Sequence, residues 1–207
     1  MSAYSFRLTE EIARYAFEAA IENSSECFAW KIAYTNPSAG PWKIVKGLNS
    51  EGKWGEVHRF LREEERPDLV LFNDTLNLII IIEAKDSLAK LLEAEQVRKS
   101  AAVVRSLSNA LREKAEHPFW RQRINYTVVA GFLWGGKKKA DEIRQQELFN
   151  AYREALGEGT ISKVLLGIES CYDKSTDSIK CYGCTSSAGE LHAGVSAVDL
   201  LKSLPIE

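Results

Sequence analysis

The sequence has no strong excess of charge of either sign, with 27 Lys and Arg against 29 Asp and Glu and a net charge of −2. A chain-wide basic field is therefore excluded, and any contact with nucleic acid depends on a local positive face. Apolar runs of membrane length are also missing. The most hydrophobic stretch, Leu76–Ile82, falls far short of the roughly 20 residues a spanning helix needs. The N-terminus carries no charged-then-apolar leader, so a soluble cytoplasmic protein with no membrane partner is expected. Proline is scarce at 5 residues, and no repeat, low-complexity tract or proline-rich linker marks a boundary. One domain over residues 1–207 is expected, burying about 70% of its unfolded surface. Cysteine is sparse too. Of Cys27, Cys171, Cys181 and Cys184, the last two form one C-x-x-C with no second pair. Cys171 and His192 complete a zinc site on paper, but free thiols in a reducing compartment are the expectation.

What is present is concentrated between Arg66 and Lys85. Two apolar runs, Leu69–Phe72 and Leu76–Ile82, flank the turn-forming Asn73-Asp74-Thr75. Short β-branched runs bounded by turn formers read as buried strands, and this pair reads as an antiparallel hairpin. Side chains alternate along a strand, so Glu83 and Lys85 share a face roughly 6–7 Å apart. Charges that abruptly end an isoleucine run are poorly explained by solubility. Asp68, brought alongside by the hairpin, and Glu83 supply carboxylates of the kind magnesium takes, with the Ala84 carbonyl as a third oxygen ligand. Lys85 is then placed to orient an attacking water or to offset charge on a phosphorane-like transition state. The chemistry implied is metal-assisted hydrolysis of a phosphodiester.

Pro67-Asp68, fourteen intervening residues and Glu83-Ala84-Lys85 resemble the motif of the PD-(D/E)xK nucleases, the superfamily of many type II restriction endonucleases. The likeness covers about twenty residues, with both halves on expected strands and a long helix following. It implies Asp68 and Glu83 as metal ligands and Lys85 as the catalytic lysine. The superfamily often adds an acid from an early helix. Thr9 caps such a helix here, running to about Asn23, and Glu18 or Glu22 on its acidic face is the candidate; the alternative is a solvated face. Gln96 sits where one branch of the superfamily places a glutamine, but Ser100 stands where that branch has a tyrosine.

Candidate DNA contacts follow in three places. Residues 35–55 are glycine-rich and interleave Trp42, Lys43 and Lys46, which either grip a DNA backbone or anchor the loop on the core. Ser87 opens a helix expected to reach about Ala115. Its Arg98, Arg105 and Arg112 recur every seven residues, facing either phosphates or acids such as Glu95. A strand over Ile124–Trp134 delivers Gly135-Gly136 and then Lys137, Lys138 and Lys139. These lysines form the strongest local basic signal, and the glycines permit close backbone approach to a ligand. A helix over Ala140–Leu156 closed by Gly157, a strand over Ser162–Ile168, a hairpin tip at residues 174–177 and a short terminal helix complete the chain.

Interleaved helices and strands predict an α/β fold, and the resemblance specifies a restriction-endonuclease-like sandwich with a mixed central β-sheet flanked by helices. The expected function is an Mg2+-dependent endonuclease for double-stranded DNA, a sequence-specific type II enzyme working as a homodimer. A structure-directed repair nuclease, a junction resolvase and a non-catalytic DNA-binding relative are the alternatives.

Overall fold

A computed structural model describes residues 15, 18–19, 30–35, 67–113, 121–136, 142–157, 161–173, 175–176, 178–186, 191–192 and 201. Strands β1 (Trp30–Thr35), β2 (Leu69–Asn73) and β3 (Leu78–Lys85) form an antiparallel meander. Helices α1 (Leu88–Leu91) and α2 (Ala94–Glu113) then lead to β4 (Thr127–Gly135), and α3 (Glu142–Leu156) leads to β5 (Ile161–Asp173). Strands β6 (Ser178–Thr185) and β7 (Leu191–His192) close a seven-stranded sheet in sequential order. Strands β3, β4 and β5 are parallel and the flanking pairs antiparallel, so the fold is α/β with a mixed sheet. Among the described residues no helix is long and apolar enough to cross a membrane.

The isoleucine run of β3 is continuous rather than alternating because both of its faces are covered. Ile79 and Ile81 meet one core with Val97, Ala101, Val104 and Leu107 of α2 and Leu148, Phe149 and Tyr152 of α3. Leu78, Ile80, Ile82 and Ala84 meet the other, with Leu69, Leu71, Val129, Leu133, Ile168 and Leu201. The parallel connections β3–α1–α2–β4 and β4–α3–β5 put their helices on one side of the sheet, as right-handed crossovers require.

The hairpin expected around Asn73 is present, with its connection at residues 74–77. Asn73 Oδ1 accepts the amides of Thr75 and Leu76, each at 3.0 Å, and Asn77 takes the left-handed conformation (φ 50°) that asparagine tolerates. The turn is also tied down from the chain before β4. Arg123 donates twice to the Asp74 carboxylate at 2.8 Å, the Tyr126 hydroxyl donates at 2.8 Å, and the guanidinium lies 4.7 Å from the Phe72 ring centre.

Two expectations are corrected, and the one for the cysteines holds. The helix after Ser87 is interrupted. Ser87 Oγ caps α1 by accepting from Lys90 N at 3.3 Å, α1 ends at Leu92 once Leu88 and Leu91 are buried, and the Glu93 carbonyl accepts from Val97 N to open α2. Spacing of apolar residues cannot register this break, because both pieces keep the same buried face. Strand β5 runs on to Asp173, as pairing with β6 supplies the hydrogen bonds its polar end needs. Cys181 and Cys184, three apart along a strand, belong to opposite cores, so the C-x-x-C cannot chelate one ion. Both are buried free thiols, as is Cys171. Burial pushes the Cys184 thiol up to about 12, with the nearby Glu169 charge adding to the effect. Gly157, at φ 69°, ends α3 as expected, its amide donating to Arg153 O. The early helix beyond residues 15, 18 and 19, the loop over residues 35–55 past Thr35, and the terminal helix other than Leu201 lie outside the described residues.

Candidate active site

The register of the hairpin assembles the site. Leu69 pairs with Ile82, so one step further Asp68 comes opposite Glu83, on the helix-facing side of the sheet. Asp68 Oδ2 accepts the Ala84 amide at 2.7 Å. The Lys85 ammonium donates to the Ala84 carbonyl at 2.6 Å and lies 3.7 Å from Asp68 Oδ2. Asp68 and Glu83 are 8% and 5% exposed, whereas the Lys85 side chain keeps 21% of its surface in solvent. Two buried carboxylates and one partly exposed ammonium thus meet where β3 ends. Asp68, Glu83, Ala84 and Lys85 are brought together as their spacing implied.

The donor set suits a hard cation. A carboxylate oxygen and a backbone carbonyl already converge on one positive charge, the Lys85 ammonium, and a second carboxylate sits opposite on the neighbouring strand. Among the described residues, Glu18 included, no three His, Cys, Asp or Glu side chains group closely enough to hold a metal. Glu18 is half-buried and belongs to no such group. Glu22 lies outside the described residues.

From α2, Ser100 donates to Glu83 Oε2 at 3.4 Å, and Gln96, one turn earlier, donates to Ser100 Oγ at 2.7 Å. From α3, the Tyr152 ring stacks on Phe132 with centroids 3.9 Å apart, and Phe132 is the β4 residue in register with Glu83. Burial raises the Tyr152 pKa, the Glu83 charge raises it further, and proximity to the Ser100 hydroxyl works the other way. The phenol is fully buried, and among the described residues its hydroxyl meets no partner at full hydrogen-bond geometry.

One acidic residue escaped the sequence reading. Lys85, Trp134 and Glu169 are in register across β3, β4 and β5, and Glu169 is 2% exposed. Its signal was the one used for Glu83, an apolar run (Val164–Ile168) closing on a glutamate. The expectation for Gly136 changes accordingly. A Cβ there would fall 1.8 Å from Glu169 Oε1, so this glycine makes room for the protein's own carboxylate rather than for a ligand.

The arginine stripe divides. Arg98 is exposed, and its charge helps hold the Glu95 carboxyl below its ordinary value, after the hydrogen bond and charge of Lys99. Arg105, expected to face either phosphates or acids, donates to the Ala155 carbonyl in the last turn of α3, where helix carbonyls lack intrahelical partners. Its guanidinium joins α2 to α3. Trp42, Lys43, Lys46, Lys137, Lys138 and Lys139 lie outside the described residues. Comparisons with family models, curated proteins and solved structures return no match to the chain.

Proposed function

We propose that this chain is a divalent-metal-dependent endonuclease for double-stranded DNA, of the type II restriction kind and working as a homodimer. The observation that carries the reading is the convergence of Asp68 Oδ2, the Ala84 carbonyl and the Lys85 ammonium at the end of β3, with Glu83 opposite Asp68. The mixed sheet with helices packed on it is in keeping with a restriction-endonuclease-like sandwich.

In this reading Asp68, Glu83 and the Ala84 carbonyl would hold Mg2+, which when bound would supply a Lewis acid for a phosphoryl oxygen and raise the acidity of water. Asp68 Oδ2 is held by the Ala84 amide, so the carboxylate is ordered before any ligand arrives. Lys85, partly exposed, donates to the attacking water and offsets negative charge as it develops on phosphorus. Water gives up a proton to solvent as its oxygen bonds to phosphorus, one ester P–O bond breaks, and the departing oxygen takes a proton from solvent. Burial of both carboxylates on a rigid strand pair keeps the arrangement fixed between turnovers.

The test is incubation of purified protein with plasmid DNA and Mg2+, followed by sequencing of fragment ends. Discrete ends at one sequence support the restriction reading. Cutting confined to branched or mismatched DNA would replace it with a structure-directed nuclease, and full cutting by Glu83→Ala protein would remove the site.

A further inference from the structure

We infer that Ser100, held by Gln96 and flanked by Tyr152, is a positioning residue that sets the orientation of the Glu83 carboxylate for its ligand; this rests on the reading of Glu83 as a metal-binding group. The proton path is determined by the donors. Gln96 Nε2 can only donate, so at 2.7 Å it occupies an acceptor lone pair of Ser100 Oγ. The single hydroxyl proton of Ser100 is thereby left for Glu83 Oε2, 3.4 Å away. Gln96 and Ser100 are one helical turn apart on α2, and so they present to the same point on the sheet.

Tyr152 completes the enclosure from a different helix. Its ring is pinned on Phe132, the residue in register with Glu83, and its buried hydroxyl is near enough for the Ser100 hydroxyl and the Glu83 charge to act on it. Donors on one side of a carboxylate direct its remaining lone pairs to the other, here toward Asp68 and the Ala84 carbonyl. Outer groups of this kind are worth about 10–100-fold in metal affinity. Ser100 and Tyr152 are both fully buried, and Tyr152 belongs to the apolar core between the helices and the sheet, where packing alone calls for no hydroxyl.

The experiment is Mg2+ titration by calorimetry at constant pH on the full chain, comparing wild type with Ser100→Ala, Ser100→Thr, Gln96→Leu and Tyr152→Phe, alongside thermal unfolding. The expected result is Mg2+ binding weakened about tenfold or more in Ser100→Ala, restored by Ser100→Thr, and weakened to a smaller degree in Gln96→Leu and Tyr152→Phe. Gln96 is only half-buried on a helix that accepts leucine, so that variant reports even if the Ser100 variants unfold. Wild-type affinity in folded Ser100→Ala, or in Gln96→Leu if Ser100→Ala does not fold, would overturn the inference while leaving the metal site standing. Equal weakening in Ser100→Ala and Ser100→Thr would overturn it as well, because packing rather than the hydroxyl would then be responsible. Absence of Mg2+ binding by the wild type would overturn both this inference and the metal site beneath it.

Discussion

Asp68 and Ala84 are sixteen positions apart in the chain, and the carboxylate of one accepts the amide of the other at 2.7 Å. This bond holds the start of β2 against the end of β3, and it aims Asp68 where Lys85 already sits. Fold and proposed chemistry therefore share one hydrogen bond, and substitutions at Asp68 should separate them. Asp68→Asn keeps an oxygen for the Ala84 amide, whereas Asp68→Ala leaves a buried N–H without an acceptor, which costs about 1–3 kcal/mol. Urea unfolding is expected to show Asp68→Ala destabilised by about that amount and Asp68→Asn by clearly less, with both inactive in the plasmid assay. Cleavage by Asp68→Asn at the wild-type rate would show that the charge is not needed and that Asp68 is no metal ligand.

Lys85 is assigned a role in chemistry rather than in folding, since its ammonium is partly in solvent. Replacing it with alanine is expected to lower the cleavage rate by about 10²–10³-fold, the range seen when one donor to a developing negative charge is lost. DNA affinity in Ca2+ is expected to stay near that of the wild type, as measured by fluorescence anisotropy. Loss of DNA binding in parallel with cleavage would make Lys85 a docking residue instead.

At the opposite end of the hairpin, Asp74 gives a pH-dependent contribution to stability. Burial alone would raise its pKa, but the hydrogen bonds from Arg123 and Tyr126, with the charges of Arg123 and Lys31, outweigh it and hold the carboxyl below its ordinary value. A depressed folded pKa favours folding above the unfolded value and ceases to do so as pH falls through the folded one. Thermal unfolding of wild type and Asp74→Asn is therefore expected to differ most between pH 5 and 7 and to converge as pH falls below about 4. A difference that stays constant across that range would mean that the carboxylate charge does not contribute.

How much of this was legible in the sequence divides along the range of the interaction. The β2–β3 hairpin, the Ser87 cap and the Gly157 stop depend on residues close in the chain, and each carries a local chemical signature. Asp68, Glu83 and Lys85 were legible for the same reason, because a single hairpin brings them together. Ser100 and Tyr152 were not, since their place beside Glu83 depends on how α2 and α3 settle on β3 and β4. Arg105 has a partner of the same long-range kind: heptad spacing puts it in one row with Arg98, but only the contact of α2 with the C-terminal turn of α3 supplies the Ala155 carbonyl.

Gly136 and Glu169 show the same limit in a form that can be measured. The glycine was read as an opening for a ligand, whereas the Glu169 side chain lies where a Cβ would stand, with Oε1, Cδ and Cγ at 1.8, 2.6 and 2.8 Å from that point. Gly136→Ala must displace this buried carboxylate, and forcing added volume into a filled site costs about 1–3 kcal/mol. Glu169→Ala removes the obstructing atoms, so the same glycine substitution made in that background should cost much less. Urea unfolding of wild type, the two single variants and the double variant closes the cycle. The expected coupling is favourable and comparable to the cost of Gly136→Ala alone. Additive penalties would show that the two residues do not compete for one space, and Gly136 would then return to being a position kept open for something outside the chain.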